Sequence, residues 1–274
     1  MSAIAPAAFD HHRLRQGIAA GELFLQYQPK VRLSDRRTIG VEALARWRHP
    51  ELGLILPDRF IPMAEASGLI EPLTQWVIAT AVAQWKAWKR MGVDLNIAVN
   101  VSAHNLARID FPDRVSELCE AEEAPLSALT FELTESATQS VVNLLDILTR
   151  LRLKGAHVSL DDFGTGYSSL AQLHRLPFSE MKIDRSFVST ADTKKDSQVI
   201  AKAVIDLGHN LGLGVVAEGV ESARVLDMLG DFGCDLAQGY YIARPAAPDD
   251  IARFCNAESR INLAPATTPG AGRQ

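Results

Sequence analysis

Polar side chains recur at the ends of short apolar segments along this chain. The series comprises Glu42 in VEALARW, Asn100 in IAVNVS, Glu132 in LTFELTE, Asp161 and Asp162 in VSLDDFG, Lys182 in MKID, Glu218 in VVAEG and Gln238 in LAQGY. Any one of these residues alone is typical of a helix cap or a solvated charge. Their repetition at seven successive segment ends favours side chains that converge on one pocket.

Such a pocket would hold five carboxylates, which stay ionised together only beside cations, because like charges at close range drive protonation or repulsion. All-oxygen ligands suit Mg²⁺ or Mn²⁺ better than zinc. The adjacent Asp161 and Asp162 offer one carboxylate that could bridge two ions and another that could bind the second ion. Two ions about 3.5–4 Å apart are the usual arrangement for in-line attack on a phosphate ester. The residues therefore predict a metal-dependent hydrolase.

The elements that must position these residues are short apolar segments alternating with amphipathic ones. The strand candidates are residues 24–31, 38–47, 95–102, 128–135, 157–162, 180–184, 214–219 and 234–240. Helical periodicity lies between them, notably over residues 73–88, 141–151 and 200–211, with Gly92, Gly155 and Gly212 placed where left-handed helix caps would fit. Eight strands alternating with helices predict an α/β fold, a TIM (β/α)8 barrel, whose strand C-termini open on one face. A doubly wound open sheet is the alternative.

Composition narrows the class of protein. The 274 residues carry 28 Lys+Arg against 33 Asp+Glu, a net charge of −5, which argues against DNA binding through a basic surface. No apolar run approaches the roughly 20 residues of a membrane segment, and the N-terminus lacks the layout of a secretory signal. The three cysteines, Cys119, Cys234 and Cys255, are too scattered for a disulfide framework or a metal site. We expect reduced thiols in a cytoplasmic protein.

The ends of the chain differ from its middle. Residues 1–8 are small and aperiodic, and residues 256–274 are rich in Ala, Thr, Pro and Gly. We therefore expect a flexible N-terminus over 1–8, one domain over 9–255 and a disordered C-terminal tail over 256–274. His11 and His12 are expected in a frayed, solvent-exposed terminus. Trp76, Trp85 and Trp88 are expected to pack a helix against the core.

Seven motifs, in order, resemble the EAL domains, phosphodiesterases of the bacterial second messenger cyclic di-GMP. They are VEALARWRHPELGLILPDRFIPMAEASGLI, NVS, FELTES, DDFGTGYSSL, MKIDRSFV, AEGVES and QGYYIARP, and the resemblance runs from about Leu23 to Phe254. It implies a modified TIM barrel whose first strand is antiparallel to the others. It also implies hydrolysis of cyclic di-GMP to linear 5′-pGpG, with two Mg²⁺ or Mn²⁺ ions as cofactors.

The resemblance assigns roles at the metal centre. The implied ligands of the first ion are Glu42, Asn100, Glu132 and Asp161. Asp161 would bridge to the second ion, which Asp162 and Glu218 complete, and a water or hydroxide between the ions would attack phosphorus. Lys182 matches a lysine with a water-activating role, either as a base, which requires a depressed pKa, or as a group that positions the nucleophile. Gln238 matches the residue that holds this water.

Substrate contacts follow from the same resemblance. The positions that match the nucleotide pocket are Gln28, Leu44, Arg46, Asp184 and Tyr240. Arg46 lies four residues after Glu42 on the same predicted strand, so both side chains point to the same face. There a guanidinium would donate two hydrogen bonds to a phosphate. Plain core packing is the alternative for Tyr240 and Leu44.

Residues 162–170 resemble a mobile family loop that links the metal site to a dimer interface. Glu135 matches the glutamate that ties this loop down, and Glu221 is a supporting candidate beside Glu218. The resemblance implies a homodimer through this region and allows a covalently attached GGDEF, receiver or sensory domain in a longer parent protein.

The alternative function, from another class of protein, is that of a non-catalytic cyclic di-GMP receptor. Such receptors usually carry substitutions among the ligands or in the loop, and this sequence has none. Enolate chemistry at a lysine and carboxylate-bound Mg²⁺ is a further rival that the motifs do not favour.

Overall fold

This computed structural model describes residues 9–164 and 170–258. Its strands form one nine-stranded sheet. The strands are β1 (Leu23–Arg32), β2 (Thr38–His49), β3 (Gly53–Ile55), β4 (Asn96–Asn100), β5 (Leu129–Thr134), β6 (His157–Phe163), β7 (Glu180–Ile183), β8 (Gly214–Ala217) and β9 (Leu236–Ala237). All eight predicted strands are present, and the short β3 is an addition that the sequence did not predict. The expectations for residues 1–8, for most of the 162–170 loop and for residues 259–274 lie outside the described residues.

Eight of these strands close into a barrel. β1 pairs antiparallel with both β2 and β9, while β2, β4, β5, β6, β7, β8 and β9 follow one another in parallel. β3 pairs antiparallel with the outer end of β2, where Trp47 lies opposite Ile55. The modified barrel with an antiparallel first strand is therefore confirmed, and the open sheet is excluded.

Helices connect the strands on the outside of the barrel. They are α1 (His11–Ala19), α2 (Pro57–Ala66), α3 (Ile70–Arg90), α4 (Ala103–Leu106), α5 (Phe111–Ala121), α6 (Ala137–Ser140), α7 (Leu144–Leu153), α8 (Leu170–Arg175), α9 (Arg185–Val188), α10 (Lys195–Asn210), α11 (Ala223–Asp231) and α12 (Pro248–Glu258). The three predicted helical stripes lie on α3, α7 and α10. Gly92, Gly155 and Gly212 follow them with φ of 75°, 97° and 73°, which confirms the left-handed caps. Helix α12 continues through residues 256–258, which the sequence had assigned to the tail.

The frayed terminus expected around His11 and His12 is wrong, although both side chains are exposed as expected. These residues open α1, whose first turn is capped by the Asp10 side chain, which accepts a hydrogen bond from the backbone N–H of Arg13 at 2.8 Å. Leu14 on the opposite face is fully buried in a hydrophobic cluster that also contains residues of β1, β2, α2 and α3. The capping residue and one buried leucine anchor a helix that has little apolar periodicity to reveal it.

The apolar core lies between the barrel wall and its helices. Trp88 of α3 packs edge-to-face on Tyr27 of β1, with ring centroids 4.9 Å apart, and Trp76 and Trp85 pack at the edge of the same core. The tryptophans are thus packing residues, as predicted. The inside of the barrel differs, because ion pairs join Lys30 of β1, Glu132 of β5 and Lys182 of β7, which are not neighbouring strands. Barrels of this kind usually fill the interior with branched apolar residues.

Candidate active site

The ammonium group of Lys182 lies at the centre of an acidic cluster at the C-terminal end of the parallel strands. Its Nζ lies 2.5 Å from Glu218 Oε1, 3.0 Å from Glu132 Oε2, 3.2 Å from Asp161 Oδ1 and 3.9 Å from Glu42 Oε2. These carboxylates come from β2, β5, β6 and the residue after β8, and only 1% of the lysine side chain is exposed. The structure therefore brings together side chains that are up to 176 residues apart in the sequence.

Amide side chains hold both oxygens of Glu42. The Nδ2 of Asn100 donates to Oε1 at 2.8 Å, and the Nε2 of Gln238 donates to Oε2 at 2.7 Å and to Gln28 Oε1 at 3.0 Å. The amide of Gln28 is in turn held by the carbonyl of Ala243. The side-chain oxygen of Gln238, Oε1, is buried and has no hydrogen-bond partner among the described residues, so it remains available as an acceptor.

Asp161, Asp162 and Glu218 form a group of acidic residues whose spacing could hold a metal ion. One oxygen from each lies within 4.8 Å of the others. Consecutive residues of a regular strand point to opposite faces, but the pairing of β6 with β7 is irregular between Leu160 and Phe163, and Asp162 has a left-handed φ of 57°. This local distortion turns two successive carboxylates toward the same ligand position.

The pKa values of this cluster are shifted by burial first and by the crowding of negative charge second. Burial and the neighbouring carboxylates raise the pKa of Asp161 to about 6 and that of Glu218 to about 8, and burial also raises the pKa of Asp162. Burial alone would lower the pKa of Lys182, but its carboxylate neighbours, Glu132 first, raise it well above the usual value. With these neighbours Lys182 is an ammonium, and the protein's own charges do not supply the depressed pKa that a base requires.

A second buried lysine lies beneath the cluster and was missed by sequence reasoning. The Nζ of Lys30 lies 2.6 Å from Glu132 Oε1 and 3.3 Å from Glu180 Oε1. Although burial opposes ionisation of Glu132, Lys182 and Lys30 together lower its pKa to about 2. A lysine at an inward position of an apolar strand, QPKV, was the available signal.

A cavity of about 170 Å³ opens beside the cluster. Its lining includes Gln28, Glu42, Arg185, Glu218, Gly219, Glu221, Gln238, Gly239 and Tyr240. Gly239 is required there, because a Cβ at this position would lie 2.2 Å from the backbone nitrogen of Val220. Glu221 lies exposed at the rim of this cavity. Arg185, Gly219 and Gly239 were not singled out from the sequence, although all three lie within the recognised motifs.

Two of the residues expected to contact substrate, Gln28 and Tyr240, line this cavity, whereas Arg46 and Leu44 lie on β2 outside its lining. Arg46 is buried, and its Nε donates to Gln26 Oε1 at 2.9 Å, while Leu44 lies partly exposed opposite Gln26. Tyr240 is 55% exposed, with the Arg244 guanidinium 4.3 Å from its ring centroid, so plain core packing of Tyr240 is excluded.

Two further expected residues lie at loop and helix starts. Asp184 accepts a hydrogen bond from the backbone N–H of Ser186 at 3.0 Å and so caps α9. Glu135 is buried, and its Oε2 accepts from the backbone N–H of Gly164 at 3.4 Å. Glu135 thus contacts the first part of the 162–170 loop, whose residues 165–169 lie outside the described residues.

The model of the EAL domain family matches residues 11–245, which include the barrel and every residue of the cluster. The chain belongs to the EAL domain family. Among the described residues of this EAL domain, no helix is both long enough and apolar enough to cross a bilayer.

Named relatives agree with this assignment. The EAL domain is 43% identical over 242 residues to the bifunctional diguanylate cyclase/cyclic di-GMP phosphodiesterase MucR of Pseudomonas aeruginosa, covering 88% of this chain and 35% of MucR. It is 36% identical to the cyclic di-GMP phosphodiesterase RocR of the same organism, covering 88% of this chain and 62% of RocR. The chain therefore spans about a third of MucR and less than two thirds of RocR.

Solved structures of related domains share the fold. The structure of the PaMucR phosphodiesterase in complex with c-di-GMP matches with a TM-score of 0.83 and 42% identity, covering 88% of this chain and 98% of that one. The FimX EAL domain from Pseudomonas aeruginosa bound to c-di-GMP matches with a TM-score of 0.79 and 25% identity, covering 87% of this chain and 97% of that one.

Proposed function

We propose that this EAL domain hydrolyses cyclic di-GMP to linear 5′-pGpG with the help of two Mg²⁺ or Mn²⁺ ions. The observation that carries the proposal is the convergence of Asp161, Asp162 and Glu218 within 4.8 Å, beside Lys182 and an open cavity. The names of MucR and RocR, which both include cyclic di-GMP phosphodiesterase, support the choice of substrate.

The donor set fits hard divalent cations. The proposed ligands are Glu42, Asn100, Glu132 and Asp161 for one ion, and Asp161, Asp162 and Glu218 for the other. With Glu180 included, six carboxylates face only two ammonium groups, Lys182 and Lys30, which leaves the cluster short of positive charge. All-oxygen sites of this kind suit Mg²⁺ or Mn²⁺. Such ions, when bound, polarise a phosphoryl oxygen and lower the pKa of a water molecule.

The reaction replaces one phosphodiester bond by addition of water. The water oxygen forms a bond to phosphorus and the bond between phosphorus and O3′ of one nucleotide breaks. One proton of the water ends on the leaving O3′, and the other stays on the new terminal phosphate or passes to solvent. We assign to the Nζ of Lys182 the role of a hydrogen-bond donor that holds the nucleophile and stabilises the negative charge that develops in the transition state. The buried acceptor oxygen of Gln238 is assigned to a hydrogen of the attacking water. Glu42 and Glu218 act through the contacts that fix these two residues.

The cavity rim suits a dinucleotide with two phosphates. Arg46 offers a guanidinium fork for a phosphate, provided that its present contact with Gln26 is exchanged. The exposed ring of Tyr240 offers a face on which a guanine can stack. Gln28, Leu44 and Asp184 are proposed to complete the nucleotide pocket. Glu135 and Glu221 are proposed as supports of the loop and the rim.

Assembly is a separate expectation. We keep as proposals a homodimer through the 162–170 region and a GGDEF, receiver or sensory domain in a longer parent protein. The partial coverage of MucR and RocR supports the second of these.

A direct test is chromatography of the products after mixing the protein with cyclic di-GMP and Mg²⁺ or Mn²⁺. We expect pGpG with either ion, and no product with EDTA. A Glu218→Gln variant, which keeps the shape of the side chain but removes its charge, is expected to lose most turnover. Binding of cyclic di-GMP without any product under all these conditions would favour the receptor function instead.

A further inference from the structure

A row of alternating charges runs from the mouth of the barrel to its interior. Its members, in order, are Glu218, Lys182, Glu132, Lys30 and Glu180, joined by nitrogen–oxygen distances of 2.5, 3.0, 2.6 and 3.3 Å. The proposed hydrolysis uses the residues at the mouth. It leaves Lys30 and Glu180, the two members farthest along the row from Glu218, without a role, although burying charged groups such as Lys30 is costly unless they are paired.

The two oxygens of Glu132 face different partners. Oε2 contacts Lys182 on the side of the mouth, whereas Oε1 contacts Lys30 on the side of the barrel interior. The Glu132 side chain is 0% exposed, so within the described protein these two ammonium groups determine its orientation. Because Lys30 holds Oε1 on the interior side, Oε2 is the oxygen that faces Lys182 and the proposed metal site.

We propose that Lys30 is a positioning residue that holds Glu132 Oε1 and thereby leaves Oε2 as the single oxygen presented to the metal site. The inference rests on the proposed metal-dependent hydrolysis and extends it to a residue that lies below the cluster. Lys30 acts through Glu132 and does not touch the substrate.

Glu180 supports this role from β7. It lies two residues before Lys182, so both side chains point into the barrel from the same strand. Glu180 contacts the Lys30 ammonium at 3.3 Å, and its side chain is 17% exposed. The result is that β7 fixes both lysine contacts of Glu132, one directly through Lys182 and the other through Glu180.

Removal of Lys30 should strengthen the binding of a divalent cation and slow turnover. The loss of a positive charge next to Glu132 strengthens the attraction of the cluster for a divalent cation. The freed carboxylate can then rotate or bind a cation through both oxygens, which disturbs the geometry needed for turnover. Tighter metal binding together with slower hydrolysis is therefore the signature of a positioning lysine. A lysine that only stabilised the barrel would not produce tighter metal binding.

The test uses the variant Lys30→Met, which removes the positive charge beside Glu132 and keeps an unbranched side chain, while Glu180 retains access to solvent. For Lys30→Met we expect the Mn²⁺ Kd of the metal-stripped protein, measured from the EPR signal of free Mn²⁺, to fall about tenfold, while kcat falls about tenfold or more and KM stays within about twofold. Lys30→Arg, which keeps the positive charge beside Glu132, is expected to leave the Mn²⁺ Kd within about threefold of the wild type. Lys86→Met is the matched control, because Lys86 pairs with Glu122 and Glu123 on the outer surface.

The outcomes separate this inference from the proposed function. An unchanged or weaker Mn²⁺ affinity in folded Lys30→Met would overturn the role of Lys30. If Lys30→Met does not fold, Lys30→Gln is measured in its place: the lost charge should still tighten Mn²⁺ binding, whereas the retained donor should make the fall in kcat smaller. A wild type that binds Mn²⁺ but releases no pGpG would refute the proposed hydrolysis, while the Mn²⁺ titration of the variants would still decide whether Lys30 restrains Glu132.

Discussion

Asp161 and Asp162 are neighbours on one strand, and yet their carboxylates reach the same ligand position. The left-handed φ of 57° at Asp162 and the irregular pairing of β6 with β7 make this possible. Backbone strain of this kind costs of order 1–3 kcal/mol and persists where the surrounding structure and the function require it. The strain thus places the second carboxylate where a regular strand could not.

Asp162→Asn and Asp162→Ala separate charge from backbone conformation. Asn tolerates the left-handed region, so Asp162→Asn is expected to keep the wild-type unfolding free energy and to lose turnover about 100-fold through loss of the second ion. Asp162→Ala is expected to lose turnover equally and to be destabilised by about 1 kcal/mol. Urea unfolding and pGpG formation measure the two effects. Full activity of the Asn variant would show that Asp162 is not a ligand in the metal site.

Lys182→Ala tests the role of the central ammonium. Because Lys182 contacts four carboxylates and is not expected to touch the bases, kcat should fall about 100-fold or more, while the KM for cyclic di-GMP changes little. Steady-state kinetics at saturating Mn²⁺ measure this split. The reverse pattern, with a large rise in KM and a nearly unchanged kcat, would make Lys182 a substrate-binding residue.

Metal affinity is expected to depend on pH in a defined direction. Since the pKa of Asp161 is raised to about 6 and that of Glu218 to about 8, protons compete with a cation for these carboxylates near neutral pH. The Mn²⁺ Kd should therefore fall as pH rises from 6 to 8, and binding at pH 7 should release protons. Calorimetry in two buffers of different ionisation enthalpy measures this release. A buffer-independent enthalpy would show that the carboxylates are already ionised.

The same pKa values predict the stability of the metal-stripped protein. Carboxyl groups whose folded-state pKa is raised bind protons more tightly in the folded state than in the unfolded chain. Their contribution to stability is complete below the unfolded pKa, near 4, and is lost as pH rises through about 6 for Asp161 and 8 for Glu218. We therefore expect this contribution to the unfolding free energy to decline between pH 4 and 8 in EDTA, and added Mn²⁺ to reverse the decline.

Glu135→Ala tests the anchor of the 162–170 loop. Loss of the acceptor for the Gly164 N–H should speed hydrogen exchange of that amide and lower turnover, whereas Glu135→Gln, which keeps an acceptor oxygen, should restore much of both. Exchange measured by NMR or mass spectrometry provides the readout. If Glu135→Ala left exchange, Mn²⁺ affinity and activity unchanged, Glu135 would have no part in holding the loop.

Two glycines give opposite predictions for the same substitution. Gly239→Ala would place a Cβ 2.2 Å from the Val220 backbone at the cavity, so it should destabilise the domain and reduce turnover. Gly230→Ala lies within α11, where a Cβ meets nothing within 4 Å, so it should stabilise the domain by about 0.5–1 kcal/mol. Thermal unfolding of both variants is the measurement. Equal effects would contradict the close approach at Gly239.

The apolar segments predicted eight strands alternating with helices but left a barrel and an open sheet both possible, and the resemblance to EAL domains favoured the barrel with an antiparallel first strand. The sequence did not reveal β3, whose three residues depend on pairing with the outer end of β2, or α1, whose single buried leucine gives no periodicity. The cluster was predictable because Glu42, Glu218 and the residues between them lie at comparable strand positions. Lys30 and Glu180 were missed because their partners come from non-neighbouring strands, and only the closed barrel brings those side chains together.

Titration of the metal-stripped protein with Mn²⁺, with bound ions and the rate of pGpG formation measured on the same samples, tests the proposed metal-dependent hydrolysis most directly. We expect two ions to bind per chain and hydrolysis to rise as the second ion binds, with Asp162→Asn binding one ion and forming little product. Full hydrolysis in EDTA, or saturation with Mn²⁺ without any pGpG, would contradict the assignment of the cluster around Asp161, Asp162 and Glu218 as the catalytic metal site.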